Sequence, residues 1–559
     1  MAIYEFLFPS LAYGTALILL WVTGVAVYRI TLHPIASIPG PKLAAITGLY
    51  EAWYNCVRRG RYYLKYEEMH DIYGKRPVVR IRPNEVHIRD PNYFDVLFSH
   101  NSKINKDPFM YKLSFSDSPA AFGTMEANHH RLRRNAMNKF FSSKALDRYE
   151  PHVHATFEKL IERLSVARKT GEVVRMTSAL KAFAMDIISH FALGQSRNYL
   201  SEPDMGHRFQ ISLLSATSLM HWTRQSGLLV ALFKRLPMWM TPILTEAPDD
   251  VFNDTHLILD PRKLTDAERE AAFGRKSGKD ESVEGEKGEF SAPSQHDSLM
   301  SFLKDSPQLP PEERTPARIS NEAHAMLAAG VDSMSNIFIV FVFEILREPP
   351  SRFLEPLLTE LREAEAELPH PAALIPYRNA EKLPYLNACV REAMRLIPGV
   401  LGRLPRVNPH EAMMYPTTTA DEKGEKQQQQ YQRTFCFPPG TVMSMSLKDM
   451  LWDAEAFGPD PRAFRPERWL PEAGGAAAGS PQRARMERCF VPFSKGARSC
   501  IGLELAKREL FVLCANLFRR LPGLELFDTT ADDIDPAFEL FGPVPWEGSR
   551  GLRCKIRDV

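Results

Sequence analysis

The chain has little of what marks a disulfide scaffold, a zinc protein or a nucleic-acid binder. Its 559 residues hold seven cysteines: Cys56, Cys389, Cys436, Cys489, Cys500, Cys514 and Cys554. They are scattered without a paired spacing, which argues against a disulfide framework or a zinc ribbon and for a reducing compartment. The net formal charge is +2, so nothing in the charge calls for nucleic acid. No G-x-G-x-x-G follows a strand, and Gly496 and Gly502 do not make one, so the chain carries no nucleotide-binding turn of its own. Length alone suggests about three or four domains, yet no repeat and no clear linker separates two cores. Proline, with 43 residues, is frequent and marks turns in the C-terminal third.

Long uncharged runs are also scarce, with one exception. From Phe6 to Tyr28 no residue is charged. At about 1.5 Å per residue this stretch reaches roughly 35 Å, enough for a bilayer. Glu5 precedes it, while Arg29, His33 and Lys42 follow, and this asymmetry puts the bulk of the chain in the cytosol. A cleaved signal peptide fits less well, because there is no charged leading region and no small-residue cleavage site. Residues 1–28 are therefore expected to form a membrane anchor, and 29–45 a hinge stiffened by Pro34, Pro39 and Pro41. Residues 46–559 would then be one catalytic domain. Asn253-Asp-Thr255 matches a glycosylation acceptor that a cytosolic face leaves unused.

Within the body, Pro77 to Ile88 reads as two alternating strands joined at Pro83-Asn84. Residues 101–123 read as a long polar loop. His129-His-Arg-Leu-Arg-Arg134 opens a helix that ends near Phe140, and 150–245 are helical in pattern. Leu228 to Met240 is either a buried core helix or a membrane-dipping lid. Three polar or small-residue stretches read as surface loops without chemistry: 275–295, 417–433 and 473–480.

The most informative segment is Phe493-Ser-Lys-Gly-Ala-Arg-Ser-Cys-Ile-Gly502. Gly496 permits a tight turn, and Gly502 leaves room for a flat ligand against the backbone. The residues after Gly502 are strongly helical, so Cys500 sits at a helix N-terminus, where free N–H groups favour a thiolate. Arg498 adds a positive charge suited to an anionic group on a ligand. A second segment, Ala329-Gly-Val-Asp-Ser333, lies inside a helical pattern running from Ile319 to Ile345. A helix-interior glycine costs about 1 kcal/mol, and an acid beside a hydroxyl is unusual in an apolar helix. Local opening of the helix would account for both, with Asp332 and Ser333 relaying protons; a small-residue helix contact is the plainer reading. A third, Glu392-Ala-Met-Arg395, places an acid and a base on one helix face.

Phe493, Gly496, Arg498, Cys500 and Gly502 fit F-x-x-G-x-R-x-C-x-G, and the loop resembles the haem-binding loop of the cytochrome P-450 monooxygenases. The resemblance runs from residue 30 to about 550. It implies a mainly α fold with small β-sheets, preceded by one transmembrane helix. It makes Cys500 the axial ligand of haem (heme b) iron, a thiolate arrangement that favours O–O cleavage. His130 and Arg134 match the Trp/His-then-Arg spacing that meets haem propionates, and Arg406 matches a propionate-contacting arginine better than Arg403. Ala329, Gly330 and Asp332 match the family's A/G-G-x-D/E-T-T/S, with Ser333 replacing Thr and Met334 departing from the pattern. Glu392, Arg395 and Arg468 of the Pro466-Glu-Arg-Trp469 word would form a structural network. Segments 109–122, 326–333 and 399–402, with Phe541-Gly-Pro, are expected to line an apolar substrate pocket.

The words Pro39-Gly-Pro-Lys-Leu43 and Arg403-Leu-Pro-Arg-Val407 are similar to fungal microsomal members, of the trichodiene oxygenase type. That implies an endoplasmic reticulum membrane location with the catalytic domain cytosolic. The expected partners are membrane lipid, dioxygen, an apolar small molecule of terpene or polyketide class, and an NADPH–cytochrome P-450 reductase docking on Arg133, Arg485, Arg488 and Lys495. A haem-thiolate isomerase or dehydratase that does not use dioxygen, and a haem-binding sensor without turnover, are the competing readings.

Overall fold

The computed structural model describes residues 2–73, 77–100, 103–111, 120–218, 220–226, 298–416 and 434–558. Expectations for Leu228–Met240, Asn253, 275–295, 417–433 and part of the 101–123 loop fall outside these residues.

The described body is mainly helical, with small sheets. Its centre is the 32-residue helix Pro316–Arg347, packed along Met176–Leu193. Phe183 of one meets Phe338 of the other edge-on, ring centres 5.8 Å apart. The helices Ser143–Thr170, Pro384–Leu396 and Leu503–Arg520 complete the same apolar core. Apolar residues at i, i+3 and i+4 make these helices adhere to one another. Burial of their facing side chains is the main stabilising term.

Beside the helices lies a five-stranded sheet in the order Val78–Arg82, Glu85–Ile88, Val442–Ser446, Arg403–Val407, Asn105–Lys106. The first two strands form the expected hairpin, and Glu85–Ile88 pairs parallel with Val442–Ser446. The expected 101–123 loop is not wholly irregular. Asn105–Lys106 pairs with Arg403–Val407, and Pro108–Tyr111 forms a helical turn. The helix after this loop runs Ala127–Asn138, earlier than the sequence suggested, because the Glu126 side chain caps the backbone N–H groups of Asn128 and His129.

The N-terminal helix, Ala2–Thr31, covers the expected span. Its part from Ala12 to Thr31 is long and apolar enough to cross a membrane and is not buried against the body. Pro316–Arg347 passes the same length test, but its apolar window is 61% buried, as befits a core helix. The proline elbow is fixed to the sheet: a Cβ on Gly40 would fall 2.1 Å from the Arg80 carbonyl oxygen.

Candidate active site

The sulfur loop is held by close backbone approach. Gly496 has φ +75°, and a Cβ there would sit 1.9 Å from the carbonyl oxygen of Phe98. No other residue type fits this position. The Cys500 N–H donates to the Phe493 carbonyl at 2.9 Å and closes the loop. Arg134 clamps it from the side, Nη1 donating to the Ser499 carbonyl at 2.7 Å and Nη2 to that of Cys500 at 3.5 Å. Gly502 is different. A Cβ there would meet only the Cys500 sulfur, at an ordinary 3.8 Å, so protein packing alone does not demand glycine.

Cys500 is exposed, although protein surrounds it closely enough for burial to push its thiol above the usual range. The Gly502 N–H and Arg134 act in the opposite direction and do not cancel it. The charge that acts on this sulfur is thus Arg134. A metal ion would settle the matter, since it deprotonates a coordinating thiol outright.

Beside the loop is a cavity of about 380 Å³, lined among others by Phe98, His130, Arg134, Arg406 and Arg498. Its charges are one-sided. Arg498 donates to the carbonyls of Thr124 and Met125, both at 2.6 Å. Arg406 donates to the Tyr111 hydroxyl at 3.3 Å and to the Pro405 carbonyl. Lys106, the cross-strand partner of Arg406, donates to the Phe122 carbonyl at 2.6 Å. Among the described residues, no carboxylate pairs with Lys106, Arg134, Arg406 or Arg498. Burial first, then Arg498, Lys106, Arg134 and Arg406, pushes His130 down to about 3. Burial and Arg406 bring Arg498 to about 10, and burial with Arg406 and Arg498 holds Lys106 well below the usual amine range. Several buried or half-buried cations without a counter-charge, Lys106 and Arg406 among the buried ones, are costly. The cluster fits a ligand with acidic arms, and Gly502 leaves space for its flat face.

Arg403, the alternative to Arg406, points elsewhere. It is buried on the opposite side of its strand, where it bonds Glu85, Glu51 and Tyr66. Alternation along a strand separates positions 403 and 406 onto different faces.

The expected pocket segments do meet. The Tyr111 and Phe122 rings lie 5.7 Å apart, and Phe122 and Phe541 5.5 Å apart. Glycines make the closest approaches: a Cβ on Gly399 would lie 3.4 Å from Cβ of Ser333, and one on Gly542 would lie 3.7 Å from the Gly399 carbonyl. Ala328 and Ala329 are exposed in the middle of an otherwise largely buried helix.

The Ala329–Ser333 turn departs from the expected opening. The helix continues unbroken from Pro316 to Arg347. Gly330 is explained by packing, since a Cβ there would strike Ile188 at 2.8 Å. The Ser333 hydroxyl donates to the Ala329 carbonyl at 2.6 Å, and Asp332 pairs with Lys181 at 2.7 Å. The backbone is therefore not opened at this turn, and the acid faces a neighbouring helix.

Glu392, Arg395 and Arg468 lie together. Arg395 donates to both oxygens of buried Glu392 at 2.8 Å, and Arg468 approaches the same carboxylate at 3.4 Å. The Trp469 indole and the Arg465 backbone N–H complete its shell. The proposed docking cations are less uniform. Arg133 is buried and binds Glu313 through two bonds of 2.8 Å, so it presents no surface charge. Arg485 pairs with Glu455, while Arg488 and Lys495 both approach Asp95. Lys106 and Lys181 were not singled out from the sequence. Lys106 lies in a two-residue strand without periodicity, and Lys181 gains meaning only from helix packing.

A helical body with a sulfur loop beside a cationic cradle fits a protein built around a flat cofactor with acidic arms. The comparisons agree. The Cytochrome P450 family model matches residues 47–537. The chain is 33% identical over 550 residues to conidiogenone synthase PchP450 of Penicillium rubens, covering 97% of this chain and 99% of that protein. It is 32% identical over 556 residues to N-acetyltryptophan 6-hydroxylase ivoC of Emericella nidulans, covering 99% and 98%. It is also 32% identical over 549 residues to cytochrome P450 monooxygenase sdnE of Sordaria araneosa, covering 97% of each. Retinoic acid bound cyanobacterial CYP120A1 has the same fold, with a TM-score of 0.60 at 18% identity, covering 93% of this chain and 99% of that one. The chain belongs to the cytochrome P450 family and is a haem-iron monooxygenase.

Proposed function

We propose that Cys500 ligates the haem iron and that Lys106, Arg134, Arg406, Arg498 and neutral His130 hold the haem propionates. Bound haem supplies the activation of dioxygen. The residues of this chain do the rest. The aromatic wall of Tyr111, Phe122 and Phe541 excludes water and orients an apolar substrate. Asp332 and Ser333 move protons inward from the Lys181 side. The product is a hydroxylated or epoxidised secondary metabolite of terpene or polyketide class. A separate flavoprotein reductase delivers NADPH electrons. The Ala2–Thr31 helix anchors the protein in the endoplasmic reticulum membrane, with the catalytic domain cytosolic. The carboxylate-free cradle of cations beside Cys500 carries this reading.

The test is product mass spectrometry with microsomes holding this chain and a fungal reductase, NADPH, heavy-isotope dioxygen and a panel of terpenes and polyketides. A product with one heavy oxygen, lost in Cys500→Ala, is expected. A product formed without NADPH and lacking the label would mean the non-oxygenating chemistry instead.

A further inference from the structure

Three arginines crowd one turn on the surface of the body. Arg58, Arg59 and Arg61 line a notch of about 340 Å³ with Val57, Phe538, Trp546 and one carboxylate, Glu547. The turn is preorganised. Arg59 has φ +52° and Gly60 φ +76°, a left-handed pair that is rare for arginine. A Cβ on Gly60 would lie 2.0 Å from the Glu539 carbonyl oxygen, and the Glu539 N–H donates back to the Gly60 carbonyl at 3.2 Å. This locks the arginines to the strand that carries Phe538. Arg59 pairs with Glu547. Arg58 and Arg61 have no carboxylate partner among the described residues. The Arg61 guanidinium lies 4.9 Å over the Phe538 ring, and its buried Nε has no hydrogen-bond partner.

An apolar stripe leads into this notch. Leu49, Trp53 and Val57 recur every fourth residue and are 72%, 55% and 50% exposed, and Trp546 is 49% exposed. Water-facing leucine and tryptophan at helical spacing beside arginines is the pattern of a surface that lies in a membrane interface. The stripe is continuous with the apolar helix Ala2–Thr31, whose Arg29 donates to the Ile46 carbonyl just before it.

We propose that this face rests on the bilayer and that the arginine notch seats the phosphate of an anionic phospholipid. Arginine suits that role because its planar fork binds phosphate through two bonds. The inference rests on the membrane-anchor reading above.

The experiment uses the full-length haem protein in nanodiscs of phosphatidylcholine with added phosphatidylserine, one lipid or the other carrying bromine. Tryptophan quenching by brominated phosphatidylserine should exceed that by brominated phosphatidylcholine. Arg58→Gln with Arg61→Gln should remove the excess, each arginine contributing about fivefold. Arg58→Gln alone, at an exposed position, gives a partial loss without risk to folding. An unchanged carbon monoxide difference spectrum confirms intact haem sites. Equal quenching by both lipids, with the chain inserted, overturns the proposal and leaves the anchor reading standing. Loss of the excess on adding millimolar inorganic phosphate makes this a free-phosphate site and also overturns it. If removal of residues 1–28 leaves insertion unchanged, the anchor reading fails, and a retained lipid preference then upholds the notch alone.

Discussion

Replacing Lys181 by Met tests how Asp332 is used. The pair is 2.7 Å apart, with side chains 20% and 32% exposed, so water screens it. Exposed pairs of this kind hold by about 0.5–1 kcal/mol. At about 1 kcal/mol the carboxylate is free roughly one-sixth of the time. Removing the lysine can therefore raise the free population by no more than about sixfold. Asp332 that relays protons would then deliver them faster in Lys181→Met. The solvent isotope effect on turnover should shrink, and the ratio of product to NADPH consumed should change, while the melting temperature moves by a few degrees at most. Lys181→Arg should restore wild-type behaviour because it restores the charge. Asp332→Asn should enlarge the isotope effect and slow turnover. If Lys181→Met and Asp332→Asn both leave the isotope effect at its wild-type value, Asp332 lies outside the proton route and the argument fails.

Arg395→Met leaves Glu392 charged and buried without its main partner. A loss of about 3–5 kcal/mol is expected, read as a lower melting temperature and poor haem retention in the carbon monoxide spectrum. Gly496→Ala forces a methyl into the Phe98 carbonyl and should abolish haem incorporation, whereas Gly502→Ala should express folded protein with weakened haem binding. Lys106→Met should speed haem transfer to apomyoglobin by roughly tenfold, the loss of one charge-assisted hydrogen bond. Glu509 is buried, and burial holds its carboxyl well above the usual range. The native form holds its proton more tightly than the unfolded chain, so native stability falls as pH rises through the ordinary carboxylate range. Glu509→Met removes this slope of about 1.4 kcal/mol per pH unit. Its stability advantage in thermal melts should be larger at pH 8 than at pH 5.

What the sequence disclosed and what it hid divide along a physical line. Gly496, Glu392 and Arg395 were legible because backbone geometry or a buried charge restricts each position to one residue type, which leaves a fixed spacing in the sequence. Arg406 was already preferred to Arg403 from the sequence, and the strand gives the two arginines different partners, Glu85, Glu51 and Tyr66 for Arg403 and Tyr111 for Arg406. Lys106 and Lys181 were not legible, because their partners lie across a strand pair and a helix seam, and a lone lysine reads as a solvated charge. The Ala329–Ser333 turn shows the reverse error. Gly330 was linked to an opened helix, yet contact with Ile188 explains it, and the same turn leaves Asp332 facing Lys181. One glycine can satisfy a packing demand while its neighbours serve chemistry, and sequence spacing reports both demands with the same letter. The Arg58–Arg61 turn adds a further case. Its arginines carried no signal in the sequence, because the left-handed backbone at Arg59 and the exposed apolar stripe beside it emerge only on folding.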